Sequence, residues 1–389
     1  NNTDSDSDTI SDFIEHQNGL NPLDASDATQ DEDSDGLTNA EEAILGTNIK
    51  NEDTDNDGYS DKDEVTFGSS PTDATSKIKI DFSSAIHAKI NNGPTDLDSL
   101  EANIQLWLDA KNINGTNNAG INNNDTISRW LDLSGNGYSL SSDSAPKFLS
   151  NHFNNKPGVN FENNKYLNSE KFNSTDEITV FSVFQLSSSW NAWGYLFGHG
   201  DRNNNWSFER KSLNVNSPSI HFQTYNDNNN VSFPAQYSGP YMMVGRIKNK
   251  NNRMLHLFSQ ASGIQKVASY VGGNKINENE SFQVGYSFYQ NEYSNAKFNE
   301  IIYFKEALSD EEIKKISYYL SKKWGLTAMV DSDGDTIKDA VEIANSLNPI
   351  NPADGAQDAD GDGLTNAQEA GLGTNINNTD SDSDTISDF

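Results

Sequence analysis

Six short runs in this sequence place aspartate on alternate positions, and such runs cannot pack together unless something neutralises them. Five runs are complete: Asp4, Asp6, Asp8, Asp12 and Glu15; Asp31, Asp33, Asp35, Asn39 and Glu42; Asp53, Asp55, Asp57, Asp61 and Glu64; Asp331, Asp333, Asp335, Asp339 and Glu342; Asp358, Asp360, Asp362, Asn366 and Glu369. The sixth, Asp380, Asp382, Asp384 and Asp388, reaches the last residue of the sequence before its glutamate. Counted from the first aspartate, the oxygen-bearing side chains fall at positions one, three, five, nine and twelve. A hard cation that takes roughly six to eight oxygens is served by that spacing, with a backbone carbonyl at position seven. The carbonyl falls at Ile10, Leu37, Tyr59, Ile337, Leu364 and Ile386. Gly36, Gly58 and Gly363 hold position six, a sharp turn that favours glycine, while Thr9 and Thr336 replace it in two runs. The expected ion is Ca2+.

The charge balance divides the chain the same way. Residues 1–76 hold 21 acids against two lysines, residues 331–389 hold 14 against one, and residues 77–330 hold 23 acids and 24 bases. The expected organisation is therefore a near-neutral domain over 77–330 between acidic calcium segments at 1–76 and 331–389. Such segments repel nucleic acid and anionic lipid, so nucleic acid is excluded as a partner class. No apolar run has the length to insert across a bilayer. With no cysteine in the chain, disulfides cannot staple the coreless segments, and metal is the staple that remains.

Spacing separates these loops from EF-hands. Loop starts at 4, 31 and 53 are 27 and 22 residues apart, and those at 331, 358 and 380 repeat both intervals. Too few residues remain between loops for an exiting helix, a linker and an entering helix. Position eight, apolar in EF-hands, is here Ser11, Thr38, Ser60, Lys338 and Thr365. The run NNTDSDSDTISDF occurs at 1–13 and again at 377–389. The chain therefore reads as one 376-residue period of a longer tandem array, in which the two ends would join into a single series of loops.

The loops and their linkers, GLNP at 19–22, SLNP at 346–349 and LGTN at 45–48 and 372–375, resemble thrombospondin type 3 repeats in a bacterial, cysteine-free form. The resemblance implies a chain wound around a row of calcium ions with little hydrophobic core. It also implies that Asn21, Asn48, Asn348 and Asn375 add ligands.

The middle alternates apolar runs with Asn- and Gly-rich turns. Runs at 178–186, 193–200, 219–225, 241–247, 253–259, 281–288 and 298–304 read as strands of a β-sandwich. One helix is expected, with Ser309 and Glu312 as a capping box, Ile313, Ile316 and Leu320 as an apolar stripe and Gly325 as its stop. The segments LWLDA (106–110), ISRWLDLSGNGYSL (127–140), KPGVNFENNKYL (156–167) and the run 298–326 resemble concanavalin A-like, laminin G-type jelly-roll domains of bacterial surface proteins. The fold class expected is mostly β: a concanavalin A-like β-sandwich, or jelly roll, flanked by irregular calcium-wrapped thrombospondin type 3-like rods.

Three further candidates stand in the middle. Asp132 and Asn136, with the turn 134–137, could hold another calcium, although an Asx-stabilised turn is the simpler reading. Trp190, Trp193 and Trp206 could stack on sugar rings or pack in a core. His199 and Asp201 read as a satisfied loop pair. Glycosidases of this general fold carry paired carboxylates as E-x-D-x-E on one strand, a run absent from 77–330. Glu278 and Glu280 read as a turn, and Asp310, Glu311 and Glu312 as a helix start. The expectation is that the chain is not an enzyme. It reads instead as a structural and adhesive repeat unit of a very large secreted bacterial surface protein or fibrous appendage, extracellular and at the cell surface. Expected partners are bundled copies of the same chain, a homo-oligomer, and glycans on a target surface. The alternative is a calcium-dependent, lectin-like carbohydrate-binding module on a stalk.

Overall fold

The structure, a computed structural model, describes residues 3–55, 61–67, 70–73, 103–114, 118, 120–134, 136–187, 193–200, 206–211, 219–224, 231–234, 239–249, 252–259, 266–271, 279–287 and 292–389. Asp57, Gly58, Tyr59, Ser60, Trp190, Asp201 and Glu278, all singled out above, lie outside the described residues. Contacts divide the chain into two units, Asn1–Ala102 and Asn103–Phe389.

The second unit is mostly β, built from two antiparallel sheets of eight strands each. The first sheet runs in the order Lys266–Val271, Asn252–Ser259, Pro240–Lys248, Ile178–Leu186, Ala296–Phe304, Lys156–Asn160, Lys147–Phe153, and Ile104–Asp109 pairs beside Ala296–Phe304. The second runs Val231–Pro234, Ser219–Thr224, Trp206–Lys211, Trp193–His199, Asn279–Val284, Leu167–Asn173, Leu140–Ser141, Arg129–Trp130. Aromatic side chains from the two sheets meet in the core. Tyr303 of the first meets Trp206 of the second at 5.1 Å between ring centroids, and Phe298 meets Phe197 at 5.9 Å. The sheets approach so closely at Gly245 that a Cβ there would lie 2.3 Å from Phe208 Cζ, which is why glycine interrupts the apolar run YMMVGRI.

All seven expected strand runs carry strands, although the run at 281–288 breaks at Gly285, whose φ is +88°. Several strands were not expected. Lys147–Phe153 and Lys156–Asn160 are polar on their outer positions and form a hairpin turned by Asn154 and Asn155, both left-handed at φ 50° and 54°.

Six helices lie among the described residues: α1 (Asp12–Asn18), α2 (Asn39–Leu45), α3 (Asp61–Phe67), α4 (Asp310–Trp324), α5 (Asp339–Ala344) and α6 (Asn366–Leu372). The expected capping box of α4 is present between Ser309 and Glu312, and Gly325 closes the helix at φ 66°. Buried charge fixes α4 to the first sheet. Lys323 Nζ lies 2.8 Å from Asp109 Oδ2 and 3.0 Å from Glu300 Oε1, with all three side chains at most 4% exposed. The indoles of Trp107 and Trp324 donate to Glu300 Oε1 and Oε2 at 2.8 and 2.6 Å, which satisfies the remaining oxygen. Asn154 donates from Nδ2 to the carbonyls of Trp324 and Gly325, so the unexpected hairpin caps the end of α4.

The other five helices each begin at position nine of an aspartate loop and run six or seven residues. This explains the polar position eight, which is the helix N-cap. Ser11 Oγ accepts from Ile14 N–H, and Thr38 and Thr365 form full capping boxes with Glu41 and Gln368. Lys338 occupies the same place without a side-chain cap.

Candidate metal centres

Each loop is folded by its own aspartates. In the loops at 4, 31, 331 and 358 the position-one carboxylate accepts two backbone N–H groups, one from position four and one from position six. Asp31 takes Ser34 at 2.7 Å and Gly36 at 3.1 Å, and Asp358 takes Gly361 at 2.6 Å and Gly363 at 3.0 Å. Asp4 and Asp331 repeat the pattern. To present both amides to one carboxylate, the chain turns left-handed twice. Position four has φ of 66° at Ser7, 66° at Ser34, 87° at Gly334, 79° at Gly361 and 61° at Ser383. Position six has 86° at Thr9, 100° at Gly36, 84° at Thr336, 110° at Gly363 and 78° at Thr385. The sequence pattern exposed only the second of these turns, because serine masks the first.

Positions five and seven act together. One oxygen of Asp8, Asp35, Asp335, Asp362 and Asp384 accepts the position-seven N–H at 2.7–2.9 Å. The apolar side chains of Ile10, Leu37, Ile337 and Leu364 turn inward and are buried, while Ile386 is 69% exposed.

Position nine serves as a brace. Asp12 accepts from both the amide and the hydroxyl of Ser5 at position two, each at 2.8 Å. Asp61 does so with Thr54, Asp339 with Ser332 and Asp388 with Ser381. Where position two carries no hydroxyl side chain, position nine is asparagine. Asn39 accepts from Glu32 N–H and Asn366 from Ala359 N–H, and their amides donate at 2.8 Å to the carbonyls of Asp27 and Asp354. Side-chain chemistry at position nine thus follows position two within the one chain.

These bonds leave other oxygens buried and without a hydrogen-bond partner: both of Asp6, Glu15 and Glu342, and one each of Asp8, Asp33, Glu42, Asp333, Asp335, Asp360, Asp362 and Glu369. They belong to positions three, five and twelve. Asp27 and Asp354, two linker residues that the sequence pattern missed, have the same property. Asp354 brings an oxygen within 4.8 Å of those of Asp333, Asp335 and Glu342, and Asp27 does the same for Asp8 and Glu15. Asp4, Asp6 and Asp8 form a second group that shares Asp8, and Asp31, Asp33, Asp35 and Asp358, Asp360, Asp362 form others. Each of Asp27 and Asp354 is aimed by a backbone amide, from Asn21 at 2.8 Å and Asn348 at 2.9 Å. The side chains of Asn21, Asn48, Asn348 and Asn375 accept local amides two residues on, which closes Asx turns in the linkers. Only the 27-residue interval carries an aspartate four residues before the next loop, and that recurrence was the signal available.

Converging carboxylates raise one another's pKa. Burial, then Asp333 and Asp335, push Glu342 up to about 9, and burial with Asp335 pushes Asp333 to about 7. Burial, then Asp33 and Asp35, push Glu42 to about 8. Orphaned oxygens, hard donors and a need for positive charge all fit a calcium ion, with Asp333, Asp335, Glu342 and Asp354 as one holding set.

The first C-terminal loop is embedded in the second unit. Asp331, Ser332 and Asp333 are buried, and the Asp339 amide donates to Val330 carbonyl at 2.9 Å. Ser321 of α4 donates its hydroxyl to Asp339 Oδ2.

Three of the other candidates, Asp132 with Asn136, Trp206 and His199, resolve as packing. Asp132 accepts the amides of Trp107, Ser134 and Tyr138 and the hydroxyl of Ser134, and Asn136 donates to Ile104 carbonyl. That is an Asx-braced turn. Trp206 is wholly buried between the sheets, so it offers no face to a sugar. His199 is wholly buried, bonds Phe172 carbonyl at 2.9 Å, and is pushed down to about 3 by burial.

A family model described as the bacterial TSP3 repeat matches residues 31–48, 53–74 and 358–378. The chain carries bacterial TSP3 repeats near both ends. No curated protein matches the sequence. Similar solved structures include the binding domain of botulinum neurotoxin DC in complex with rat synaptotagmin II, at 10% identity and TM-score 0.37 over 55% of this chain and 50% of that one. An arabinofuranosidase complexed with arabinofuranosyl-alpha-1,2-xylobiose is similar at 12% identity and TM-score 0.40 over 48% of each chain. Trypanosoma rangeli sialidase in complex with the inhibitor DANA is similar at 11% identity and TM-score 0.38 over 57% of this chain and 33% of that one. The chain spans half or less of each of these solved chains. The expectation that the chain is not an enzyme is corrected by this finding, since glycosidases stand among the similar structures. The missing E-x-D-x-E run excludes one placement of paired carboxylates and leaves others, so it does not exclude catalysis. Among the described residues no helix is long and apolar enough to cross a membrane.

Proposed function

We propose that the chain is a structural and adhesive segment of a secreted bacterial surface protein. Calcium repeats over 1–76 and 331–389 act as stiff spacers, and the domain over 77–330, of concanavalin A-like, laminin G type, acts as a bead for attachment or lateral assembly. The observation that carries this reading is the set of buried, unpartnered carboxylate oxygens within and beside the matched repeats. An ion at each set turns a self-repelling ladder into a rigid one, and rigidity in series gives reach and multivalent grip.

Calcium titration by calorimetry, with small-angle scattering in calcium and in EGTA, tests the reading. Several ions should bind and the chain should expand or loosen on chelation. A scattering profile unchanged by EGTA would overturn it. Lateral assembly is read separately by analytical ultracentrifugation, where a calcium-loaded monomer at every concentration removes that part.

A further inference from the structure

We infer that the cleft between strand Asn252–Ser259, helix α4 and the loop 331–336 binds a neutral saccharide, with calcium setting one wall. The cleft encloses about 760 Å³ and lies wholly in the second unit. That volume falls in the roughly 300–1,000 Å³ range of small-ligand sites. Its floor is Met254, His256 and Phe258, alternate residues on one face of their strand, while Leu255 and Leu257 are buried on the other. Ile313 and Ser317, one turn apart on α4, form the second wall. The third wall is calcium-loop backbone and side chain from Asp331 to Thr336.

Two features select the ligand. Ser317 is 1% exposed, yet its hydroxyl has no hydrogen-bond partner, so a buried donor and acceptor awaits a polar group from the cleft. The charged side chains that line the cleft are of both signs, Asp310, Asp331 and Asp333 against Lys314 and Lys338. Asp310 is held by Arg246 at 2.6 Å, Lys314 by Glu311 at 2.8 Å, and Asp331 by the amides of Gly334 and Thr336. His256, which contacts Met254 Sδ at 3.1 Å, is kept neutral by burial. No single sign of charge is left to capture an ion. An apolar strip facing a lone hydroxyl suits a ring that is apolar on its face and hydroxylated at its edge. The inference rests on reading loop 331–342 as a calcium loop.

Carbon-13 methyl labelling of the four methionines tests it in the intact chain. Calcium alone should move the Met254 methyl signal. If it does not, the calcium-loop reading fails by itself. In calcium, the probes cellobiose, maltose, lactose and chitobiose are then added at millimolar concentration. At least one should shift Met254 to saturation and leave core Met242 and Met243 in place, with the effect lost in EGTA. Ser317→Ala should weaken that probe roughly fivefold, the loss of about one hydrogen bond. A Met254 signal that moves with calcium but ignores every probe, or responds equally in Ser317→Ala, overturns the saccharide site and leaves the calcium reading standing.

Discussion

Ser321 in helix α4 and Asp339 at position nine of the first C-terminal loop share one buried hydrogen bond, a side-chain pair that ties the sandwich to that carboxylate loop. Asp339 also takes the amide and hydroxyl of Ser332, which makes it the knot of that loop. Ser321→Ala should destabilise the loop by about 1.5–3 kcal/mol, the worth of a hydrogen bond to a charged group. Amide exchange at Asp339 should accelerate while exchange in strand Ile178–Leu186 stays unchanged. Equal protection in mutant and parent would show that the bond carries nothing.

Asp27 and Asp354 should matter to calcium although neither lies in the aspartate pattern. Asp354→Asn removes one charged oxygen from the group with Asp333, Asp335 and Glu342. Affinity at that set should fall on the order of tenfold, about 1.4 kcal/mol, and Asp27→Asn should do the same beside Glu15. Calorimetry on each variant reads this, and unchanged binding isotherms would assign both residues to the fold alone.

The calcium-free loops should grow less stable as pH rises. Glu342 near pKa 9, Glu42 near 8 and Glu15 near 7 all lie above the ordinary 4.5. An acid raised in the folded state contributes stability that is full below its unfolded pKa and lost as pH climbs through the folded one. In EGTA the melting temperature should therefore fall between about pH 5 and pH 9. Calcium binds the deprotonated form and should reverse that slope over the same window. A pH-independent melt in EGTA would contradict this crowding of charge.

Lys323→Met should be among the most damaging single changes. It removes the ammonium that lies between Asp109 and Glu300 in the interior. Breaking a buried pair in this way costs about 3–5 kcal/mol. Thermal unfolding with calcium in excess measures the sandwich itself, and a loss under one kcal/mol on that scale would mean the carboxylates had found protons or water instead.

The parts that could be read from the sequence were those with a period. Alternating runs such as ITVFSVFQL became strands, and the capping box at Ser309 and Glu312 became the start of α4. The hairpin at Lys147–Phe153 and Lys156–Asn160 was hidden because its signal is a pair of left-handed asparagines in a chain full of asparagine. At the loops the ladder gave positions three, five and twelve, which supply the unpartnered oxygens of Asp6, Asp8, Glu15, Asp33, Glu42, Asp333, Asp335, Glu342, Asp360, Asp362 and Glu369. It could not show that position nine would turn to position two, because hydrogen bonding to a neighbour and coordination draw on the same side chains. Asp354 lies outside the ladder and reaches Glu342 through the fold of the linker, so its one sign in the sequence was its recurrence, with Asp27, four residues before a loop.

The doubled left-handed turn has a consequence for the order in which the ladder would empty. A serine or threonine at positive φ costs of the order of 1 kcal/mol or more, and glycine little. On backbone cost alone, the loop at 358 with Gly361 and Gly363 is relaxed, those at 31 and 331 carry one burdened residue each, and those at 4 and 380 carry two. Ion release on slow chelation should then be staged, with the loops built on Ser7 and Thr9 and on Ser383 and Thr385 letting go first. A segment graded in this way would soften by steps when calcium falls.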